Sequence, residues 1–123
     1  MKTIKQLDEK LSKRYISLDP KGYFIIYIDR NQNLICAKYF TNIINDKGLA
    51  VDPENGEVIS VRNKVTRSAN QIFTGRSAKE LCIKIIENND NCLITMLDHA
   101  AYLGREFMKA EIALMQEIEY IQD

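Results

Sequence analysis

The stretch from 96 to 116 constrains the fold of this chain more than any other segment. Its apolar residues recur every three or four positions, which is the spacing of one face of an α-helix. That face consists of Met96, Ala100, Leu103, Phe107, Ala110 and Leu114. The opposite face consists of Asp98, Arg105, Glu106 and Lys109. We therefore predict a long amphipathic helix over 96–117 that forms one wall of a hydrophobic core.

Strand signals precede this helix. Residues 23–28 are β-favouring residues without polar alternation, a pattern typical of a strand covered on both faces. The turn 19–22 leads into this strand, and residues 34–40 return as its antiparallel partner after a short polar connection. We expect this hairpin to form the centre of the sheet. A second hairpin is predicted over 49–61, because Asn-Gly at positions 55 and 56 separates two β-prone segments.

Two shorter helices are predicted from their caps and spacing. Residues 3–15 form an amphipathic helix that Thr3 can cap. Its apolar stripe is narrow, so we interpret it as a helix that docks on the domain or frays, rather than as one that binds a partner or a membrane surface. Ser77 and Glu80 fit a capping box, which predicts the start of a second helix over 77–88.

The remaining segments complete an α/β domain. Residues 62–76 are irregular and basic, 92–95 read as a short buried strand parallel to a neighbour, and 120–121 add a final strand or a docked tail. The predicted architecture is a single mixed β-sheet of about five strands, with two main helices packed on it and a short N-terminal helix. We assign 1–18 to the N-terminal helix and its connection, and 19–123 to a single α/β domain.

Composition limits the kind of protein this can be. The chain has 123 residues, enough to bury a core without disulfides or metal, and 17 basic residues balance 17 acidic ones. The formal charge of zero argues against nucleic acid or a membrane surface as the partner. Cys36, Cys82 and Cys92 are odd in number and far apart, which favours reduced thiols and disfavours structural zinc. Because neither a signal segment nor a membrane span is visible, we expect a cytoplasmic location.

The turn before the second helix is a candidate anion site. It consists of Thr74, Gly75, Arg76 and Ser77. A helix N-terminus offers free N–H groups and a partial positive charge, while glycine allows close approach and arginine adds a forked donor. The basic residues Arg62, Lys64 and Arg67 would strengthen the site if their loop folds back over it. The alternative is a capped helix beside a solvated basic loop.

The only histidine marks a second candidate site. His99, Tyr102 and Glu106 share one face of the long helix, and Arg105 lies beside them. A histidine near a phenol and a carboxylate can hydrogen-bond a heterocycle or move a proton. No second histidine or nearby nucleophile supports triad chemistry. Contact with a ligand and a purely structural role both stay open for His99, and both are favoured over direct catalysis.

Several motifs carry a resemblance to a known family. They are Asp19–Phe24, Gly48–Gly56, Thr74–Leu81, Leu97–Glu106, Lys109–Leu114 and Tyr120–Asp123. The chain resembles a small family of cyanobacterial and plastid-encoded proteins of unassigned function. A similar module is appended to archaeal dihydropteroate-synthase-like proteins, and a more distant likeness is to the corrinoid-binding A subunit of tetrahydromethanopterin S-methyltransferase.

The resemblance implies a binding domain related to pterins or one-carbon metabolism, located in a cyanobacterial cytosol or plastid stroma. The chain lacks the synthase barrel, so the interpretation is a non-catalytic module rather than an enzyme. A pterin- or folate-type ligand is favoured over a corrinoid, because no corrinoid-binding signature is present. We expect the ligand's anionic tail near Arg76 and the amides of 75–77, and its ring near His99 and Tyr102.

Two other hypotheses stay open. The chain can be an interaction or assembly subunit whose 74–105 surface meets a protein partner or a second copy. That hypothesis predicts an exposed apolar patch and a defined oligomer. An enzyme that uses His99 with Glu106 is the third and least favoured hypothesis.

Overall fold

The computed structural model describes residues 3–60, 62–88 and 94–123, apart from the side chains of Tyr15 and Ser17. In chain order the elements are α1 (Ile4–Leu18), β1 (Gly22–Asp29), β2 (Leu34–Thr41), β3 (Ile43–Ile44), β4 (Ala50–Val51), β5 (Gln71–Gly75), α2 (Ala78–Glu87) and α3 (Leu97–Gln116). The α/β class and the N-terminal helix are confirmed. The five strands lie in two sheets rather than in the single sheet that the sequence predicted.

The main sheet has three antiparallel strands in the order β1-β2-β5. The predicted hairpin is confirmed, with Gly22 opposite Thr41 and Asp29 opposite Leu34, but β2 rather than the hairpin as a whole is central. The strand β5 lies in the segment that the sequence analysis had left irregular. It forms because Tyr39 to Ile35 of β2 offer a free edge to Gln71–Gly75.

The predicted strand over 92–95 and the predicted hairpin over 49–61 are less extensive in the described residues than expected. Of the predicted parallel strand over 92–95, residues 92 and 93 lie outside the described part of the chain, and Ile94 and Thr95 form no regular structure. The second hairpin is present but short. Val51 bridges Val58, the Ile59 N–H donates to the Ala50 carbonyl and the Asp52 N–H donates to the Glu57 carbonyl, while β4 also pairs with β3. Residue 61, at the end of that predicted hairpin, also lies outside the described residues.

Each face of the main sheet carries its own core. On one face α2 and α3 cover β1, β2 and β5, with Phe24, Phe73, Leu81 and Phe107 among the buried residues. On the other face Tyr23, Phe40, Ala50 and Ile59 pack together beside α1. Successive residues of a strand point to opposite faces, so Tyr23 and Phe24 anchor different cores. Both faces of the first half of β1 are therefore covered, as predicted.

The N-terminal helix is docked, which is one of the two states that the sequence predicted. Thr3 and Gln6 exchange two hydrogen bonds in a capping box. The Ser12 hydroxyl is buried and accepts a 2.6 Å hydrogen bond from the Ala50 N–H. Ile4 and Leu7, which we had placed on the apolar face, are exposed, so the contact runs along the later turns of α1. No described helix is long and apolar enough to cross a membrane.

The inward face of α3 differs from the predicted one. Met96 and Ala100 are exposed, whereas His99 and Glu106 are fully buried alongside Leu103. The face is rotated because both polar side chains find partners inside the fold. After α3 the chain turns at Glu117, in the left-handed region with φ 56°, and residues 118–123 dock as a tail without forming a strand.

Candidate functional site

A buried hydrogen bond between His99 and Asp19 joins the turn before β1 to the first turn of α3. Nδ1 of His99 lies 3.0 Å from Oδ2 of Asp19, and both side chains are fully buried. Asp19 precedes the proline of the turn, and His99 is the third residue of the helix. The pair therefore fixes where α3 crosses the start of the sheet.

The Asp19 carboxylate accepts three hydrogen bonds besides the one from His99. The donors are the N–H of Lys21 at 3.0 Å, the N–H of Thr95 at 2.8 Å and the Thr95 hydroxyl at 2.7 Å. Burial alone would raise the pKa of Asp19, but the hydrogen bonds from Lys21, Thr95 and His99 outweigh it and hold this pKa below the usual value. The carboxylate is thus ionised and saturated with donors.

His99 is held in one defined tautomer. Burial lowers its pKa, and the attraction of Asp19 offsets this only in part, so the ring is neutral at pH 7. Since Nδ1–H donates to Asp19, Nε2 carries the lone pair. Nε2 is buried and has no hydrogen-bond partner among the described residues. The ring packs near Phe24 and Tyr102, with centroids 5.9 and 6.4 Å away.

Glu106 forms a second buried polar centre, two turns along the same helix face. Its carboxylate accepts hydrogen bonds from the Tyr120 hydroxyl at 2.8 Å and the Asp123 N–H at 3.3 Å, and it pairs with Lys109 at 3.2 Å. Burial and this carboxylate together raise the pKa of Tyr120. Its residue type predicted the polar face for Glu106. The spacing of seven residues from His99 puts both on one helix face, but only the tertiary contacts show that this face is buried.

The tail also forms hydrogen bonds with the edge of β1 that does not pair with β2. The Gln122 carboxamide donates from Nε2 to the Phe24 carbonyl at 2.9 Å and accepts the Ile26 N–H at 2.8 Å. One side-chain amide thus replaces a neighbouring strand. The Tyr102 hydroxyl accepts from Gln122 and donates to the Asp123 carbonyl at 2.8 Å.

We call this surface the tail groove. It is formed by the β1 edge at Phe24 and Ile26 and by Tyr102, Glu106 and Lys109 of α3, and the tail residues 118–123 fill it. Arg105 stands at its rim, exposed, with its guanidinium 5.9 Å from the centre of the Tyr102 ring. The groove therefore presents a backbone donor and acceptor, a buried carboxylate, a phenol and two cations.

Two N–H groups at the predicted anion site of 74–77 already donate to carboxylates. The Arg76 N–H donates to Glu80 at 2.9 Å, and the Ala78 N–H donates to Glu111 at 2.6 Å. The capping role of Ser77 is confirmed, because its hydroxyl accepts the Glu80 N–H at 3.1 Å. The Thr74 carbonyl accepts from Lys84. An added Cβ at Gly75 would lie 3.2 Å from Leu81, so this glycine allows α2 to approach β5.

The two predicted halves of the ligand site lie at different ends of the sheet. Glu111, which touches the 76–78 turn, follows His99 by twelve residues, or about 18 Å of helix. The strand register agrees, since Gly75 pairs with Ile35 while Tyr39, at the far end of β2, pairs with Phe24. His99, Tyr102 and Arg105 are therefore neighbours on α3, and 74–77 stand apart from them.

The basic loop faces the other core rather than 74–77. Arg67 is nearly buried, pairs with Asp52 at 3.0 Å and donates to the Tyr23 hydroxyl, also at 3.0 Å. Tyr23 in turn donates to the Lys64 carbonyl. Arg62 lines a cleft of about 690 Å³ beside α1, together with residues of the 45–49 segment and none of α2.

Comparison with known proteins identifies the family. A family profile described as PterinBD-DUF4346 matches residues 18–123. This chain belongs to that family. Its match spans β1 to the tail and so includes both the Asp19–His99 pair and the tail groove. No solved structure matches the chain.

Relatives of this PterinBD-DUF4346 chain occur in cyanobacteria, red algae and archaea. A Ycf91-like protein of Nostoc is 62% identical over 95% of this chain and 92% of the relative. An uncharacterised ycf91 protein of Porphyra purpurea is 32% identical over 88% of this chain and 73% of the relative. An uncharacterised protein of Methanocaldococcus jannaschii is 35% identical over 80% of this chain, which corresponds to 19% of that longer protein. The resemblance to a cyanobacterial and plastid family is confirmed.

Proposed function

We propose that this domain binds a small planar heterocycle of the pterin or folate class in the tail groove, and that it binds without catalysing a reaction. The observation that carries the proposal is that one short tail bonds both to the buried carboxylate of Glu106 and to the donor and acceptor of the β1 edge. The membership in a pterin-binding-type family supports the same ligand class.

The chemistry of a pterin ring suits these groups. One edge of the ring presents adjacent N–H donors in a guanidine-like arrangement, which a carboxylate accepts as two parallel hydrogen bonds. The ring also carries an amide C=O, which can accept the Ile26 N–H, and the amino group has a second N–H that can donate to the Phe24 carbonyl. The Gln122 carboxamide makes this pair of hydrogen bonds at 2.9 and 2.8 Å. In this proposal the ligand displaces the tail and takes over the amide's position.

The rim supplies the contacts for an anionic tail. Lys109 lies 3.2 Å from both Glu106 and Asp123, and it is released from Asp123 when the tail leaves. Arg105 stands one turn earlier over Tyr102. A carboxylate attached to the ring would meet these two cations. This arrangement replaces the sequence-based hypothesis in which Arg76 receives the anion.

The buried state of His99 supports binding rather than catalysis. A general base must reach the proton that it abstracts, within hydrogen-bond distance. His99 is fully buried, and its Nδ1 is engaged by Asp19. We assign it the positioning of α3, so that Tyr102 and Glu106 face the β1 edge. The occurrence of relatives in a cyanobacterium and in red algae supports a cytosolic or stromal location.

A thermal-shift and calorimetric panel of pterins, folates and corrinoids tests the proposal. We expect a pterin or folate to bind and Glu106→Gln to weaken it at least about tenfold, which corresponds to 1.4 kcal/mol. The matched control is Glu117→Gln, which changes an exposed glutamate outside the groove. Lys109→Ala should weaken binding of a folate more than Arg76→Ala does. The opposite order would place the ligand at 74–77, and no binding by any pterin or folate would reject the proposal.

A further inference from the structure

The outer face of α3 is apolar as well as the inner one. Opposite the buried face runs a stripe without any charge, formed by Leu97, Ala101, Gly104, Met108, Ile112 and Met115. Leu97 is 84% exposed, Met115 75% and Met108 60%. The spacing of three and four residues is again that of one helix face. A helix that is apolar on two opposite faces is typical of one that is covered on both sides.

Gly104 shows how closely this face can be approached. A Cβ added at Gly104 would meet no described residue within 4 Å, so none of the described contacts requires glycine there. A glycine inside a helix costs about 1 kcal/mol relative to alanine. With Ala101 one turn earlier, it leaves a shallow depression in the middle of an exposed stripe. Small residues at such a point allow two helices to pack with short separation between their axes.

The stripe is complementary to itself. If two copies of α3 run antiparallel with their centres near residue 106, Met108 of one copy faces Gly104 of the other, and Ile112 faces Ala101. Leu97 then meets Met115 at each end. In the central part of the stripe, large residues meet small ones in the antiparallel arrangement, whereas a parallel twofold arrangement sets Met108 against Met108. A surface that fits a second copy of itself is the mark of a twofold interface.

The available area is sufficient for a specific dimer. The helix α2 packs beside α3 on the same face of the sheet and adds Ile83 and Ile86, which are 45% and 73% exposed. Together the exposed apolar side chains of both helices offer on the order of 600 Å² per copy, as large as the largest patches on monomers. Two copies would bury about 1,200 Å², the lower end of specific interfaces.

The charged residues on either side of the stripe contact other parts of the protein and do not cover the stripe. Glu111 on one side is held by the Ala78 N–H, and Arg105 on the other side lies over the Tyr102 ring. We propose that this protein forms a twofold homodimer in which α3 packs antiparallel against α3 of a second copy. The dimer does not cover the tail groove, because Tyr102 and Glu106 point away from the stripe.

Sedimentation velocity and light scattering over about 1 to 200 µM protein test the dimer. We expect a particle of about 28 kDa, twice the chain mass of 14.2 kDa. Met108→Glu should lower the association constant at least about a hundredfold and yield a monomer with unchanged circular dichroism, because Met108 is exposed. Gly104→Leu should do the same, since the added side chain meets only the second copy.

The matched control is Ile72→Glu, which places the same charge at a 59% exposed isoleucine on β5. It should leave the dimer intact. A wild-type chain that stays monomeric at every concentration would overturn the proposal. A dimer that survives both Met108→Glu and Gly104→Leu would also overturn it, because the interface would then lie elsewhere.

Discussion

Asp19 and His99 are 80 residues apart in sequence and 3.0 Å apart in the fold, where each is fully buried. The contact joins the turn that starts β1 to the helix that covers it. Through this contact Tyr102 and Glu106, three and seven residues after His99, face the edge of β1. The geometry of the tail groove therefore depends on a polar pair outside it.

Replacing Asp19 with alanine should destabilise the protein by about 3 kcal/mol. The substitution leaves the Lys21 and Thr95 N–H groups and the His99 Nδ1–H without their acceptor. Urea unfolding followed by circular dichroism measures the change. Asp29→Ala, at an aspartate that ends β1, is the control and should cost less than about 1 kcal/mol. An equal loss in both variants would contradict the special role of Asp19.

The stability should fall as the pH drops from 7 towards 5. The pKa of His99 lies below 6.5 in the folded protein, so the unfolded chain takes up a proton first and acid favours unfolding. One such proton gives a slope of at most about 1.4 kcal/mol per pH unit. The pKa of Asp19 is also lowered, so its contribution is lost only below about pH 4.

His99→Asn serves as the comparison for this pH effect. Unfolding free energies at pH 7.5, 6.5 and 5.5 should decline for the wild type and stay nearly level for the variant in this window. A variant that keeps the full decline would assign the slope to another group.

Arg67→Lys should destabilise the protein by about 2 kcal/mol despite the retained charge. The guanidinium donates hydrogen bonds to four acceptors at once. They are the Asp52 carboxylate, the Tyr23 hydroxyl, the Asn42 amide oxygen and the Thr41 carbonyl. An ammonium group cannot reach four acceptors in this planar arrangement. Arg62→Lys, at an exposed position of the same loop, is the control for thermal unfolding. Equal effects of the two substitutions would argue against this network.

The tail should protect the edge of β1 from exchange with solvent. Gln122 accepts the Ile26 N–H at 2.8 Å, and in Gln122→Ala this amide loses its acceptor. We expect the Ile26 amide to exchange at least about tenfold faster by NMR, while the Ala37 amide in central β2 stays protected. Unchanged exchange at Ile26 would mean that the tail does not close this edge.

The sequence predicted the elements of this fold better than their faces. The long helix follows from its spacing, and the hairpin predicted over 22–40 follows from its β-favouring residues and the turns around them. The inward face of α3 was assigned by residue type, which put Glu106 outside. Its partner Tyr120 lies 14 residues later, beyond the end of the helix, and Asp19 lies far earlier. Such contacts are tertiary, and no local pattern reports them.

Tertiary contacts also explain why the sequence did not predict strand β5 or the separation of 74–77 from His99. Gln71–Gly75 is short and follows a polar stretch, and it becomes a strand because β2 offers an edge. The distance between Arg76 and His99 is set by the strand register and by the length of α3, neither of which a single sequence reveals. The grouping of His99, Tyr102 and Glu106 on one face did follow from their spacing.

The affinity of Gln122→Ala for the pterin or folate that binds the wild type tests the central claim most directly. If the ligand takes the place of the tail amide, removing that amide removes a competitor, and calorimetry should show binding at least about fivefold tighter than for the wild type. Glu119→Ala, an exposed tail residue, should bind like the wild type. Weaker or unchanged binding by Gln122→Ala would contradict the claim that ligand and tail share the groove.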